Sequence, residues 1–465
     1  MATVAFVQNR LGRTDGVSLE VDKWRQVLRD RRGHTVWYCS GNDDVPTNYV
    51  VPEIYAQHPV TWKILQNATV KFKDYTREED LEKDIYDHAD TIEKKLLQFI
   101  DEKKVSVLLP NNLCSGGYQP AAAIALHRVF RKGAVNGIVH SHDFYFEDSG
   151  EVSPTCHVTE SIYHRYFPPK LPNVQHVVIN RLSQGQIKKR KNIDATVVPN
   201  VFDFDQPQWV ADQYNSDFRA AFGIDKNDLV FLQATRILDR KSIELAIDVI
   251  AEIEHTPALR NALVGTPTAA GGKFGKENKI VLLCAGIVET IGISGSYWDL
   301  LKTHAANKRI DMRHVGDRVK HSRGTVGGAG DGSKAYSLWD AYVLADFVTY
   351  PSTWEGWGNQ FIEAVFAKLP VLIYEYPVWT SDLGPTGFDV VSLGNQLSGK
   401  YGSGLVQVDA KKVKAAAEGV VAVMTNAGRK REMVEKNFAI GKEQFSLDAL
   451  QRIITPLFEK AGVKM

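Results

Sequence analysis

Pro351-Ser352-Thr353-Trp354-Glu355-Gly356-Trp357-Gly358-Asn359-Gln360-Phe361-Ile362-Glu363-Ala364 follows a short apolar run at 345–350 and leads into an apolar segment that stops before Leu369-Pro370. The pattern reads as strand, glycine-bearing loop, helix. Glycines let a ligand approach the backbone, and exposed N–H groups at a helix start attract phosphate. Glu355 falls in the loop. Glu363 is expected two turns into the helix, at most about 12 Å further along. Carboxylates so spaced can reach the two ends of a long polyhydroxyl ligand; the plain alternative is a loop with two solvated glutamates.

Outward from this stretch, short apolar runs alternate with amphipathic ones. Strands are expected at 3–7, 35–38, 105–109, 138–139 and 177–179, with helices carrying Val17, Val21, Trp24 and Leu28, then at about 88–103 and about 119–131. A polar stretch holding Pro207 interrupts the pattern near 200–217. It restarts with strands at 229–232, 280–283, 347–350 and 371–374 and a helix from Ser242. Strand–helix alternation means α/β architecture, parallel sheets with helices on both faces. Two doubly wound halves imply a cleft lined by the carboxyl ends of their strands, where such sheets bind ligands.

The bulk properties agree. The 465 residues carry 56 Lys+Arg against 55 Asp+Glu, a formal charge of +1, with 44% hydrophobic and 24% charged residues. That length favours two domains, and that balance excludes disordered, collagen-like and dedicated nucleic-acid-binding chains. Four scattered cysteines (Cys39, Cys114, Cys156, Cys284) show no metal or disulfide spacing. With no apolar run of about 18 residues and no signal-peptide pattern, the reading is a cytoplasmic protein without a transmembrane segment. The glycine-rich segments 265–276 and 324–334 read as flexible surface loops, with phosphate cradles as the alternative and 324–334 the better placed to touch ligand; neither matches a P-loop.

The Pro-Ser…Glu-Gly-Trp-Gly…Glu-Ala stretch resembles the signature of the retaining glycosyltransferases of family 4, which have the GT-B fold of two Rossmann-like domains facing across a cleft. Trp357 stands where that family usually has Phe. The resemblance covers nearly the whole chain and is strongest in four motifs. The second, Ala234-Thr235-Arg236-Ile237-Leu238-Asp239-Arg240-Lys241-Ser242, looks like the family's Gly-Arg…Lys-Gly element, whose Arg and Lys grip the donor's diphosphate. Physically, two fixed cations there stabilise negative charge on a leaving diphosphate; on spacing alone Arg236 and Lys241 are equally well ordinary surface cations. The third, Gly12-Arg13-Thr14-Asp15-Gly16, resembles the family's Gly-Gly-Val loop, with Asp15 in place of the first Gly. Gly16 is then expected near the donor phosphates, while Arg10, Arg13 and Asp15 face an acceptor, the arginines suiting an anionic one. The fourth, His140-Ser141-His142-Asp143, matches the family's donor-sugar histidine best at His142. Two histidines and an aspartate also invite a metal, but the sequence offers no third ligand type beside them.

The resemblance implies an acceptor-binding domain at 1–205, braced by a C-terminal helix at about 441–465, and a nucleotide-sugar-binding domain at 206–440. Asp203-Phe204-Asp205 matches the D-x-D of metal-dependent glycosyltransferases, yet it follows a Pro-Asn segment like the family's domain junction and reads as linker. The implied activity moves a hexose from UDP-glucose or GDP-mannose, with retention, to a small and anionic sugar-like acceptor. Catalytic roles are expected for Arg236, Lys241, Glu355 and His142, and donor contacts for Gly16, Gly356, Trp357, Gly358 and Glu363. The nucleotide sugar is a substrate, and neither cofactor nor metal is expected; the reading leaves a homodimer open. The stretches 336–342, 349–352, 374–377 and 384–388 are similar to a subgroup that makes small glycosides, including mannosylglucosyl-phosphoglycerate synthases. A GT-B sugar phosphorylase and a non-catalytic nucleotide-sugar sensor are the competing readings.

Overall fold

The computed structural model describes residues 1–12, 16–42, 45, 48–147, 152–289, 297–326 and 333–465. The chain divides into two compact units, Met1–Asp203 with Phe445–Met465, and Phe204–Gln444.

In the first unit, seven parallel strands lie in the order β3-β2-β1-β4-β5-β6-β7. They are β1 (Thr3–Gln8), β2 (Thr35–Ser40), β3 (Asn48–Val50), β4 (Val107–Pro110), β5 (Asn136–Ser141), β6 (Val174–Val178) and β7 (Ala195–Val197). Val4 and Phe6 of β1 pack on one face while Ala5 and Val7 pack on the other, so both faces are buried, as a parallel sheet requires. Helix α1 (Gly16–Arg25) brings Trp24 to the first face. Helix α2 runs from Glu78 to Lys103, ten residues longer than its apolar runs imply. Glu78, Glu79 and Asp80 suit the positive end of the helix, and Leu81 and Ile85 extend the buried stripe into the charged half. Helix α3 (Pro120–Arg131) follows β4.

The second unit holds a six-stranded parallel sheet. Its strands are β8 (Leu229–Gln233), β9 (Ile280–Cys284), β10 (Asp311–His314), β11 (Phe347–Tyr350), β12 (Val371–Ile373) and β13 (Val391–Ser392), in the order β10-β9-β8-β11-β12-β13. The chain winds outward from β8 to β10, then returns to place β11 beside β8. This reversal makes the carboxyl ends of β8 and β11 the switch point at which doubly wound sheets take their ligands. Helices α4 (Glu244–His255) and α5 (Asn359–Phe366) follow those two strands.

The last helix, α6 (Leu447–Lys460), starts at Ser446, whose hydroxyl accepts from the Ala449 N–H at 3.2 Å. Leu447, Leu450, Ile454, Leu457 and Phe458 pack on the Val4, Phe6, Val107 and Ile138 face of the first sheet. Each such side chain contributes about 1.5–3 kcal/mol of burial. Gln175 and Asn136 donate to the Leu457 and Ala461 carbonyls at 2.8 and 3.0 Å.

Segment 265–276 is no loose loop. The Gly265 N–H donates to Phe274 O at 2.7 Å, the Thr268 N–H to Gly272 O at 3.1 Å, and the Ala269 N–H to Asp346 Oδ1 at 2.6 Å. Since Asp346 precedes β11, this turn belongs to the amino-terminal edge of the sheet, away from the switch point. Segment 324–334 lies in part outside the described residues; Gly324–Thr325 pairs with residues 334–335. No helix among the described residues is long and apolar enough to cross a membrane.

Candidate active site

The two stretches that dominate the sequence meet where β8 and β11 end. Beneath them, Gln233 bridges the strands: its Oε1 accepts from the Thr349 hydroxyl and its Nε2 donates to Thr235 Oγ1, both at 2.7 Å. All three side chains are fully buried.

After β8 the chain makes a short turn, Asp239–Lys241, and Lys241 is 4% exposed. Its ammonium donates to Glu355 Oε1, and Glu355 is 7% exposed. Arg240 holds the second carboxylate oxygen, with Nη1 3.0 Å from Oε2 and 2.9 Å from Trp354 O. Burial alone pushes the Glu355 carboxyl up, but Lys241 and Arg240 outweigh it and hold it below the usual carboxylate range. For Lys241, burial pulls the ammonium down while Glu355 opposes that pull. Arg240 is the residue that sequence reasoning missed. The only signal was its place beside Lys241 in a cationic motif.

The turn is locked to the 351–358 loop through the backbone as well. The Thr353 N–H donates to Arg240 O at 3.0 Å, and the Thr353 and Ser242 hydroxyls pair at 3.0 Å. Ser242 has φ 47°, in the left-handed region where the resembled family has Gly. Such a residue costs about 1–2 kcal/mol, which its hydroxyl bond offsets in part. Ser242→Ala keeps the strain and loses the bond, so it is expected to lower stability by about 0.5–1.5 kcal/mol. Ser242→Gly loses both, and its urea midpoint is expected close to wild type.

Arg236 pairs with Glu289 in the loop after β9. That loop clasps the Arg236 segment: the Ile237 N–H donates to Ile287 O at 2.9 Å and the Glu289 N–H to Ile237 O at 3.2 Å. The approach depends on Gly286, where a Cβ would stand 1.8 Å from Thr235 O and 2.7 Å from Arg236 N. Gly286→Ala must therefore displace the Arg236 backbone. A donor KM raised about tenfold, near the 1.4 kcal/mol that a factor of ten represents, is expected, and steady-state kinetics check it.

Helix α5 opens at Asn359, with Gly358 at its cap. Glu363 is thus one turn into the helix, not two, because the glycines stay outside it. Tyr342 donates to Glu363 Oε2 at 3.0 Å, and burial, reinforced by Glu363, raises that phenol well above its ordinary value, keeping it a donor. Trp357 turns its indole inward at 5% exposure and its carbonyl accepts from the Tyr376 hydroxyl at 2.6 Å. Gly358 lies so close to Tyr376 that a Cβ would come within 2.6 Å of the hydroxyl. Gly356 joins the two in the same loop.

In the first unit, His142 follows β5 and is buried, its N–H donating to Asn112 Oδ1 at 2.7 Å and its Nε2 3.4 Å from Asn111 Oδ1. Its ring lies 4.2 Å from that of His140, whose pKa burial and the His142 charge push well down. Asp143 accepts from Asn112 Nδ2 at 3.0 Å. Arg10 follows β1, and Gly16 opens α1. Arg13 and Asp15 lie outside the described residues. Gln26 donates to Asp203 at 3.4 Å, whereas Asp205 pairs with Lys442 at 3.0 Å. Among the described residues no group of three or more His, Cys, Asp or Glu is arranged to hold a metal ion.

No family model matches the chain. A mannosylglucosylglycerate synthase of Petrotoga mobilis is 35% identical over 447 residues, 96% of this chain and 98% of that protein. One of Thermotoga maritima is 35% identical over 454 residues, 97% of this chain and 98% of its own. The chain belongs to the mannosylglucosylglycerate synthase family. It is a glycosyltransferase. A crystal structure of a glycosyltransferase from Rickettsia africae, 12% identical, superposes with a TM-score of 0.61 over 99% of this chain and 98% of its own. That likeness concerns the fold alone, which is GT-B. The family's name carries glycerate, where the resemblance in sequence pointed to a phosphoglycerate.

Proposed function

We propose that this chain transfers a mannosyl group from GDP-mannose to glucosylglycerate with retention of anomeric configuration. The observation that carries the reading is the buried Lys241–Glu355 pair with the half-buried Arg240 on its second carboxylate oxygen, standing with Arg236 at the switch point of the second sheet. The relatives' name supplies the product class, a mannosyl residue on a glucosylated glycerate, and so favours GDP-mannose over UDP-glucose and a carboxylate over a phosphate ester.

In this reading Arg236 and Lys241 take the diphosphate, Glu363 the ribose hydroxyls, and the 356–358 amides the sugar or phosphate. Glu355 uses its remaining lone pairs for the sugar hydroxyls, since a carboxylate offers about four such sites. His142 meets the sugar's primary hydroxyl, and Arg10 with Arg13 the acceptor carboxylate. The bond from the mannosyl C1 to the diphosphate oxygen breaks as the acceptor hydroxyl bonds C1 from the same face. The leaving oxygen takes the acceptor's proton. The protein contributes position and preorganised charge and no metal or cofactor.

The test is incubation of the purified chain with GDP-mannose or UDP-glucose and glucosylglycerate, with the product's anomeric configuration read by NMR. An α-linked mannosyl product supports the reading. Phosphate-dependent disaccharide cleavage without nucleotide makes the chain a phosphorylase instead, and donor binding without turnover makes it a sensor.

A further inference from the structure

We infer that Arg240 is a positioning residue that neutralises Glu355 and ties the 353–355 loop to the Lys241 turn, so that Lys241 remains the cluster's net positive charge. The inference rests on the reading that Lys241 meets the donor diphosphate.

Glu355 is shared by two cations: Lys241 holds Oε1, and Arg240 holds Oε2 at 3.0 Å. Lys241 and Glu355 are nearly inaccessible, at 5% and 9% side-chain exposure, whereas Arg240 reaches in from a half-buried position at 31%. Arg236 has its own counter-charge in Glu289. Among these five side chains the surplus is therefore one positive charge, and removing Arg240 cancels it. A diphosphate would then meet a neutral cluster in which Lys241 is matched by Glu355 alone. Beside the nearly inaccessible Lys241 and Glu355, a change in charge is screened less than at an open surface.

Arg240 also fixes geometry. Its Nη1 reaches Trp354 O at 2.9 Å, and its own carbonyl accepts the Thr353 N–H at 3.0 Å. Side chain and backbone of one residue thus hold three consecutive loop residues. A guanidinium keeps its charge at every accessible pH, which suits a permanent counter-ion beside a lysine that burial disfavours.

The experiment titrates wild type, Arg240→Gln, Arg240→Lys, Lys241→Ala and the double variant Arg240→Gln/Glu355→Gln with GDP, and with UDP in parallel, by calorimetry. Arg240→Gln is expected to weaken nucleoside diphosphate binding at least tenfold, and Arg240→Lys to stay within about threefold of wild type. The double variant restores the surplus charge and is expected to recover most of the affinity, which a merely bracing role would not produce. Should Arg240→Gln fail to fold, the double variant carries the test, and binding tenfold weaker than wild type there overturns the inference. Unchanged binding in Arg240→Gln with a large loss in Lys241→Ala removes Arg240's role and leaves the diphosphate reading standing. Unchanged binding in both, or none in wild type, ends both.

Discussion

Replacing Lys241 with alanine is expected to cut turnover by roughly 100-fold or more, about 3 kcal/mol of transition-state stabilisation. A cleaving sugar–phosphate bond gathers negative charge on the leaving diphosphate, and a preorganised cation in a dry site is worth most at that moment. Lys241 is such a cation: it is buried, its position is set by Glu355, and it stands at the carboxyl end of β8. The effect on folding should be smaller, because Glu355 keeps its contact with Arg240 and no carboxylate is left buried without a partner. Steady-state kinetics with the donor varied check the first part, and a urea midpoint the second. Turnover within threefold of wild type would sink the assignment of Lys241.

The second large effect falls on stability. Asp346, 2% exposed, accepts from Arg219 Nη2 at 3.0 Å, the Val230 N–H at 2.8 Å and the Ala269 N–H at 2.6 Å. Asp346→Ala leaves the buried Arg219 guanidinium without its carboxylate and two amides without an acceptor. Breaking a buried pair from one side costs about 3–5 kcal/mol. For a unit of this size that corresponds to a fall of roughly 6–20 °C in its unfolding midpoint, measurable by scanning calorimetry. Because Asp346 sits before β11 and the proposed donor site after it, donor KM in the folded variant is expected to stay near wild type. A large KM change with unchanged stability would contradict this division between the two ends of the strand.

Much of the architecture was open to reading from local pattern. Runs such as Val4–Val7 and Ile280–Cys284 are apolar throughout because both faces of a parallel sheet are covered, and the intervening helices carry apolar stripes. Short edge strands were not legible: Asp311–His314 and Ala195–Val197 are half-buried and polar in part, so their pairing rather than their composition makes them strands. The length of α2 was underestimated for a similar reason, since its charged first half is held by contacts that periodicity alone scarcely registers.

At the candidate site, the glycine-bearing loop between strand and helix singled out Glu355 and Glu363, whereas Arg236 and Lys241 were nominated by the family resemblance, since their spacing alone fits ordinary surface cations equally well. What it did not contain was who faces whom. Arg240 and Glu355 are 115 positions apart, Arg236 and Glu289 are 53, and Gln233 and Thr349 are 116. Each of these contacts exists only because β11 returns to lie against β8 and the loop after β9 closes on the Arg236 segment. Motif and resemblance could nominate the charges, but strand order and loop closure set their separations, and Coulomb energy depends on separation.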